Sequence, residues 1–145
     1  MTIQVVKEPQ GICDLLRKFD DVLPHLKEKI SDYCIFSNKL AEHATVLSLV
    51  DGEYVCGFVA FYANDIATRT AFVTLIACSS EYQGRGLGRQ LMEIASREAL
   101  SRGMSKIRLE VDLDNSGAIA FYTRLGFSEN GEKKFGSMYM EKALL

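Results

Sequence analysis

Leu75-Ile76-Ala77-Cys78-Ser79-Ser80-Glu81-Tyr82-Gln83-Gly84-Arg85-Gly86-Leu87-Gly88 is the most informative stretch of the chain. Its apolar start belongs to Thr70–Cys78, which reads as a strand. Its glycine-rich end opens an apolar stripe of Leu87, Leu91, Ile94, Ala95 and Ala99 at helical spacing, with Arg89, Glu93, Arg97 and Arg102 on the wet side and Gly103 as the stop. Glycine lets a backbone approach a ligand closely and adopt positive φ. The first turn of a helix offers unpaired N–H groups at the positive end of its dipole. Strand, glycine loop and helix start therefore form an anion site, naturally for a phosphate or pyrophosphate. Arg85 and Arg89 add charge within reach of the same anion.

The spacing limits which phosphate. Gly84-x-Gly86-x-Gly88 is not the dinucleotide pattern G-x-G-x-x-G. No G-K-[ST] follows, which excludes a P-loop. The pattern present is [QR]-x-x-G-x-[GA], from Gln83 to Gly88. Average composition produces it roughly 0.15 times in a chain this long. Its place between a buried strand and an amphipathic helix carries the argument.

Upstream, Thr2–Val6 alternates as a short strand. Pro9 suits the first turn of a helix carrying Ile12, Leu15, Leu16 and Phe19. Pro24 breaks or restarts it, and a second helical region runs to about Leu40, with Leu26, Ile30, Tyr33, Cys34 and Leu40 as its apolar side. Thr45–Val50 reads as a strand, Asp51-Gly52 as a hairpin turn, and Tyr54–Tyr62 as a strand covered on both faces. Asn64-Asp65 marks another turn.

Downstream, Lys106–Asp112 alternates: Ile107, Leu109 and Val111 one way, Arg108, Glu110 and Asp112 the other. Asp114-Asn115-Ser116 offers N-cap chemistry for a short helix to Leu125, ended by Gly126. Phe127–Asn130 and Phe135–Lys142 read as closing strands around Gly131. The order β-α-α-β-β-β-α-β-α-β-β implies an α+β fold with a mixed sheet, as one domain over residues 1–145 without linker or repeat.

The chain has 145 residues with 48% hydrophobic and 25% charged, ordinary globular usage that excludes a disordered or fibrous chain. Lys plus Arg is 17 against 19 Asp plus Glu, a net charge of -2 that argues against a nucleic-acid binder. Cys13, Cys34, Cys56 and Cys78 form no C-x-x-C, and His25 and His43 have no second ligand at zinc spacing, so no metal is expected. The cysteines read as four reduced core thiols. The start has no signal-peptide pattern, and the longest apolar runs are too short for a bilayer, which takes about 20 residues. The expected location is the cytoplasm, with no membrane partner.

Val73–Gly88, together with Asn115, Ala118, Tyr122 and Gly126-Phe127, resembles the GCN5-related N-acetyltransferases (GNAT). The resemblance is close over the C-terminal half, and the upstream element order also fits. It implies an acyl-CoA N-acyltransferase fold: a mostly antiparallel sheet, helices on both faces, splayed after the fourth strand with acetyl-CoA in the opening. It maps the CoA pyrophosphate onto Gln83, Gly84, Arg85, Gly86, Leu87 and Gly88, with Arg89 beside them, and the pantetheine arm onto Ile76, Ala77 and Cys78.

On the second helix Asn115, Ala118 and Tyr122 share one face, and the small Ala118 lets a cofactor lie close. Phe121 and Leu125 are assigned to the core. The resemblance gives Tyr122 the role of general acid to the leaving thiolate. An attacking amine must first lose a proton, and Glu110 is the candidate base, with a solvated charge or a pair with Arg108 as the alternative. A backbone N–H near Cys78 is the expected oxyanion donor. Cys78 as a nucleophile is disfavoured for want of an activating histidine, so direct attack in a ternary complex is expected.

The helices of Gly11–Leu40 and the turn at Asn64-Asp65 are expected to frame the acceptor, and Phe61-Tyr62 to belong to core. The first expectation is a small-molecule primary amine, an amino sugar or amino-acid derivative. The alternatives are a peptide or protein N-terminus, suggested by the Glu110–Tyr122 arrangement, or a non-catalytic acyl-CoA-binding module. Exposed edge strands near the C-terminus leave room for a homodimer.

Overall fold

The computed structural model describes residues 1–23 and 26–144, so the expectations for Pro24 and His25 lie outside the described residues. The elements are β1 (Thr2–Val5), α1 (Pro9–Phe19), α2 (Leu26–Lys29), α3 (Tyr33–His43), β2 (Thr45–Asp51), β3 (Tyr54–Tyr62), β4 (Thr70–Cys78), α4 (Leu87–Ser101), β5 (Lys106–Asp112), α5 (Ser116–Arg124), β6 (Ser128–Lys134) and β7 (Ser137–Ala143). A 3-10 turn at Ser80–Tyr82 bridges β4 and the glycine loop.

The strands form one sheet in the order β1-β2-β3-β4-β5-β7-β6. β4 and β5 run parallel, while the other neighbours pair antiparallel. The parallel pair is short. It runs from Thr70↔Lys106 to Val73↔Leu109 and stops, although β4 continues to Cys78 and β5 to Asp112. Beyond Val73 and Leu109 the two strands diverge, which is the splay the resemblance implied. A bulge helps to open it. The β3–β4 register steps from Ala60↔Leu75 to Phe61↔Val73, leaving Thr74 as the extra residue, and a bulge bends and twists its strand.

Both faces of the sheet are covered. Ile12, Leu15, Leu16 and Phe19 of α1 and Leu40 of α3 pack with Val46, Phe58 and Ala60. On the other face Leu87, Leu91, Met92, Ala95 and Ala99 of α4 pack with Leu47, Val59, Phe61, Ile107 and Leu109. β3 feeds both clusters from alternate residues, hence its unbroken apolar run. Burying each of the Val, Leu, Ile, Phe and Met side chains among them contributes about 1.5–3 kcal/mol. At Gly57 a Cβ would stand 2.7 Å from the Ala77 carbonyl oxygen and 3.1 Å from the Leu91 side chain. The missing side chain lets α4 press onto the strand backbone, fixing where α4 starts relative to the end of β4.

Four expectations need correction. The second helical region is two helices, because Asp32 caps α3 by accepting hydrogen bonds from the Cys34 and Ile35 N–H groups and so sets a new start. That places Cys34 on the exposed side, and Cys78 is only half-buried; Cys13 and Cys56 alone match the core assignment. Gly131 is not the final turn: its φ of +86° serves a β6 irregularity between Glu129 and Lys133, and the turn falls at Phe135-Gly136, with Gly136 at +79°. Finally, Phe121 is not buried core. It stays partly exposed against α4, as described below.

Candidate active site

The loop adopts the conformation its glycines permit. Gly84 and Gly86 have φ of +83° and +77°, and Gly86 is the N-cap of α4. Such angles are strained for any residue with a Cβ. Gln83 N–H reaches the Ser80 carbonyl at 3.4 Å, and Gln90 N–H bonds the Gly86 carbonyl at 3.1 Å. Between them, the amides of residues 84–89 make no hydrogen bond among the described residues. The loop thus presents a run of orphan donors at a helix N-terminus, which an anion can satisfy. Gly88 serves packing: a Cβ there would lie 2.9 Å from the Phe121 ring.

β4 supplies a second set of backbone groups. Ser79 N–H bonds the Cys56 carbonyl at 2.7 Å, and the register pairs Gly57 with Cys78 and Phe58 with Ala77. Antiparallel pairing alternates, so the Ala77 backbone groups turn toward β3 while those of Ile76 and Cys78 turn away from it. They face the gap where pairing with β5 has ended. Of the three strand residues assigned to the pantetheine arm, Ile76 and Cys78 thus offer N–H and C=O to the opening, and Ala77 contributes only surface.

These groups line a cavity of about 700 Å³. Its wall includes Ile76, Ala77, Cys78, Gln83, Gly84, Gly86, Leu87, Gly88, Arg89, Asn115 and Ala118 of the expected set. Arg85 does not line it; its guanidinium lies over the Tyr82 ring, 4.8 Å from the centroid. Tyr82 in turn stacks on Tyr54 at 5.6 Å, and the Lys18 ammonium sits 4.1 Å over Tyr54. The Tyr82 hydroxyl donates to Asp51 at 2.9 Å, and that hydrogen bond is the main reason its phenol is pushed up to about 12. This cation–ring–ring–cation ladder ties the loop entrance to α1 and the β2–β3 turn. Sequence reading missed Tyr82, Gly117 and Arg124 in the wall. The Tyr in Glu81-Tyr82-Gln83 was a visible signal; Arg124 had none beyond its place in the last turn of α5.

A second cavity of about 350 Å³ opens on the other side of the splay. Leu23, Leu26, Ile30 and Phe36 form one wall, and Thr74, Glu110 and Asp112 lie across from them. The N-terminal helices therefore line this cavity. Asn64 and Asp65 do not line it, and Phe61 is fully buried in the core. Lys29 from α2 reaches Asp112 at 3.5 Å. Glu110 accepts a hydrogen bond from the Ser137 hydroxyl at 2.6 Å and has Lys134 at 3.6 Å. It does not pair with Arg108, which bonds Glu132 at 2.7 Å and covers the Tyr139 ring.

The two cavities share four residues: Ile76, Asn115, Ala118 and Tyr122. Asn115 caps α5, accepting from the Ala118 N–H at 3.1 Å, and so orients the face that carries Ala118 and Tyr122. The Tyr122 ring packs against Phe121 and Phe127. Burial pushes its phenol up to about 12, so it holds its proton at neutral pH and can donate it. Burial, aided by Cys56, pushes the Cys78 thiol up to about 11, which opposes a thiolate nucleophile. His43, exposed and 3.4 Å from Glu42, lines neither cavity. Among the described residues, no cluster of His, Cys, Asp and Glu could hold a metal ion, and no helix is long and apolar enough to cross a membrane.

Comparison with known proteins agrees with this geometry. The chain is 35% identical over 83 residues to a mycothiol acetyltransferase of Corynebacterium glutamicum (strain R), covering 57% of this chain and 28% of that protein. It is 40% identical over 70 residues to the ribosomal protein bS18-alanine N-acetyltransferase of Escherichia coli (strain K12), covering 48% and 47%. The chain thus spans less than half the length of these curated relatives. In fold it resembles the crystal structure of the PaiA N-acetyltransferase from Thermoplasma acidophilum in complex with coenzyme A, with TM-score 0.76, 19% identity and 99% of both chains covered. The model of the acetyltransferase (GNAT) family matches residues 11–127. With the splayed sheet, the glycine loop and that match in agreement, the chain belongs to the GNAT acetyltransferase family.

Proposed function

We propose that the protein transfers an acetyl group from acetyl-CoA to the primary amine of a compact small molecule, such as an amino sugar or amino-acid derivative, by direct attack in a ternary complex. The observation that carries this reading is the meeting of the two cavities at Tyr122. The larger cavity suits the donor, with orphan amides for a diphosphate and the Ile76 and Cys78 backbone groups for an amide-bearing arm. The smaller one, about 350 Å³, suits a small acceptor.

Bound acetyl-CoA supplies an activated thioester carbonyl. The amine nitrogen forms the new C–N bond as the C–S bond breaks. Glu110 takes the amine proton, directly or through a water, and Tyr122 hands its proton to the departing sulfur. The Ser137 hydroxyl and the Lys134 ammonium hold Glu110 at the rim where the amine must arrive. The test is a panel of amines assayed by free-thiol release from acetyl-CoA. Amino sugars or amino-acid derivatives as the best substrates support the reading. Peptides outperforming all of them would replace it.

The peptide N-terminus is a second reading. Phe135, fully exposed at the β6–β7 turn, and half-exposed Leu113 flank Lys134 and Ser137, the partners of Glu110, and offer apolar surface to a chain outside the small cavity. The 40% identity to the bS18-alanine enzyme also favours it. A non-catalytic acyl-CoA-binding module would release no thiol with any amine and would be indifferent to Tyr122→Phe.

A further inference from the structure

We propose that the acceptor carries an uncharged apolar group, branched aliphatic or aromatic, on its amine-bearing carbon, and that Ile30, Phe36 and Leu75 select it. The proposal rests on the acetyl-transfer reading above. It narrows the acceptor from amino sugars and amino-acid derivatives to apolar amino-acid derivatives. The small cavity has two unlike sides. Glu110 and Asp112 of β5 and Asn115 and Tyr122 at α5 make one of them. The N-terminal helices make the other, with Ile30 and Phe36 in its wall, and Leu75 of β4 also lines the cavity.

The bulge in β4 is what turns Leu75 to the apolar side. Side chains alternate along a strand, so Ala71, Val73, Leu75 and Ala77 would share one face in a regular β4. Ala71 and Val73 do pack into the cluster under α4, yet Leu75 and Ala77 pack into the cluster under α1 and α3. Skipping Thr74 in the pairing with β3 makes the switch, because a slip of one residue exchanges the two faces of a strand. Ile30, Phe36 and Leu75 pack against that second cluster without being fully buried, whereas Leu23 and Leu26 are only 8% and 4% exposed. The apolar surface these three leave open fronts the cavity that also holds Glu110 and Tyr122.

Such a surface discriminates by desolvation. An apolar group set against Ile30, Phe36 and Leu75 leaves water and gains packing contact. A sugar turned the same way buries hydroxyls against side chains that carry neither donor nor acceptor, which costs free energy. The polar side of the cavity does not offset that cost, because its groups hold partners of their own. Glu110 accepts from Ser137, Asp112 faces Lys29, and Asn115 accepts from the Ala118 N–H. A carboxylate beside the amine would meet Glu110 and Asp112. Among the described residues of the wall, the one lysine or arginine is Lys29, which Asp112 already faces. The acceptor that fits is therefore an amide or ester rather than a free acid.

Initial rates of free-thiol release from acetyl-CoA, measured with L-leucinamide, L-phenylalaninamide, glycinamide and glucosamine, test this. The better of the two apolar amides is expected to exceed glycinamide in kcat/KM by about tenfold or more, and glucosamine to fall below both apolar amides. Phe36→Ala and Leu75→Ala should each cut the ratio of apolar amide to glycinamide at least about threefold. A merely structural role would lower all rates together and leave that ratio in place. Melting temperatures check that each variant is folded, and Leu75→Val replaces Leu75→Ala where the latter does not fold. Equal kcat/KM for glycinamide and the apolar amides, or glucosamine as the best of the four, overturns the proposal and leaves the acetyl-transfer reading standing. So does a ratio that none of the folded variants moves. No thiol release with these four or with any amine of the wider panel overturns both.

Discussion

The two cavities that meet at Tyr122 are built from different materials. The larger draws its free hydrogen-bonding groups from backbone: orphan amides after Gln83 and the outward groups of Ile76 and Cys78, beside positive-φ glycines. The smaller is mostly side chains drawn from α2, α3, β4 and β5, with Glu110 held by Ser137 and Lys134 of the β6–β7 hairpin. Backbone sites recognise what a shared cofactor has in common, a diphosphate and amides. Side-chain sites can be rewritten one residue at a time without disturbing the fold, so they suit an acceptor that varies.

The sharpest test of that division is a variant that spares the donor half and stops turnover. Tyr122→Phe is expected to lower kcat by about 10²–10⁴, the range for losing a general acid, while the calorimetric Kd for acetyl-CoA moves less than about twofold. A Tyr122→Phe enzyme with undiminished kcat would remove the general-acid role. Because the phenol is pushed up to about 12, its acid form persists below that pH; turnover should rise with pH as the amine deprotonates and hold to about pH 10–11. An alkaline decline centred near pH 9 would count against Tyr122 as the acid.

Glu110→Gln probes the other half. It should lower kcat/KM by about 10²-fold with donor affinity intact, and the deficit should shrink at high pH, where solvent deprotonates the amine. A pH-independent loss would instead mark Glu110 as a packing partner of Ser137.

Gly86→Val strikes the backbone half. A β-branched side chain at φ of +77° costs on the order of 1–3 kcal/mol of local strain, enough to weaken acetyl-CoA binding by roughly ten- to hundredfold if the loop shifts. Binding at wild-type affinity would show that the left-handed cap is dispensable.

Tyr82→Ala should have a smaller effect, about five- to tenfold in acetyl-CoA Kd, because it removes the ring between Tyr54 and Arg85. Tyr82→Phe keeps the ring and should recover most of the loss; no recovery would assign the effect to the Asp51 hydrogen bond instead. The smallest expected change is Lys29→Ala, which breaks a partly exposed ion pair with Asp112. Stability should move by less than about 1 kcal/mol, with any kinetic effect confined to the KM of the acceptor. A change in donor affinity would show that the two halves are coupled through α2.

Much of the fold was readable without coordinates because its signals are local. The alternation of Lys106–Asp112, the α4 stripe and the Asn115 cap all lie where the pattern put them. The errors also have local causes. Ser31-Asp32 was a cap hidden inside an apolar pattern, and Gly131 and Gly136 competed for one turn that only strand pairing could settle. At the site, helix spacing puts Asn115, Ala118 and Tyr122 on one face and glycine spacing marks Gln83 to Gly88, while the resemblance to the acetyltransferase family is what singled them out as site residues. Arg124 could not be found that way, since no short-range pattern sets its distance from Arg89.

What the amino-acid order settled alone is the backbone chemistry: glycines where φ must be positive, an apolar strand before them and a helix N-terminus after them, all within one span of chain. What only folding in three dimensions decided is the partnership of distant side chains. Glu110 meets Ser137 rather than Arg108, and Arg97 joins Arg124. The reason is geometric: the antiparallel pairing of β5 with β7 sets Ser137 opposite Asp112 and diagonal to Glu110, and such pairing acts across the sheet rather than along the chain.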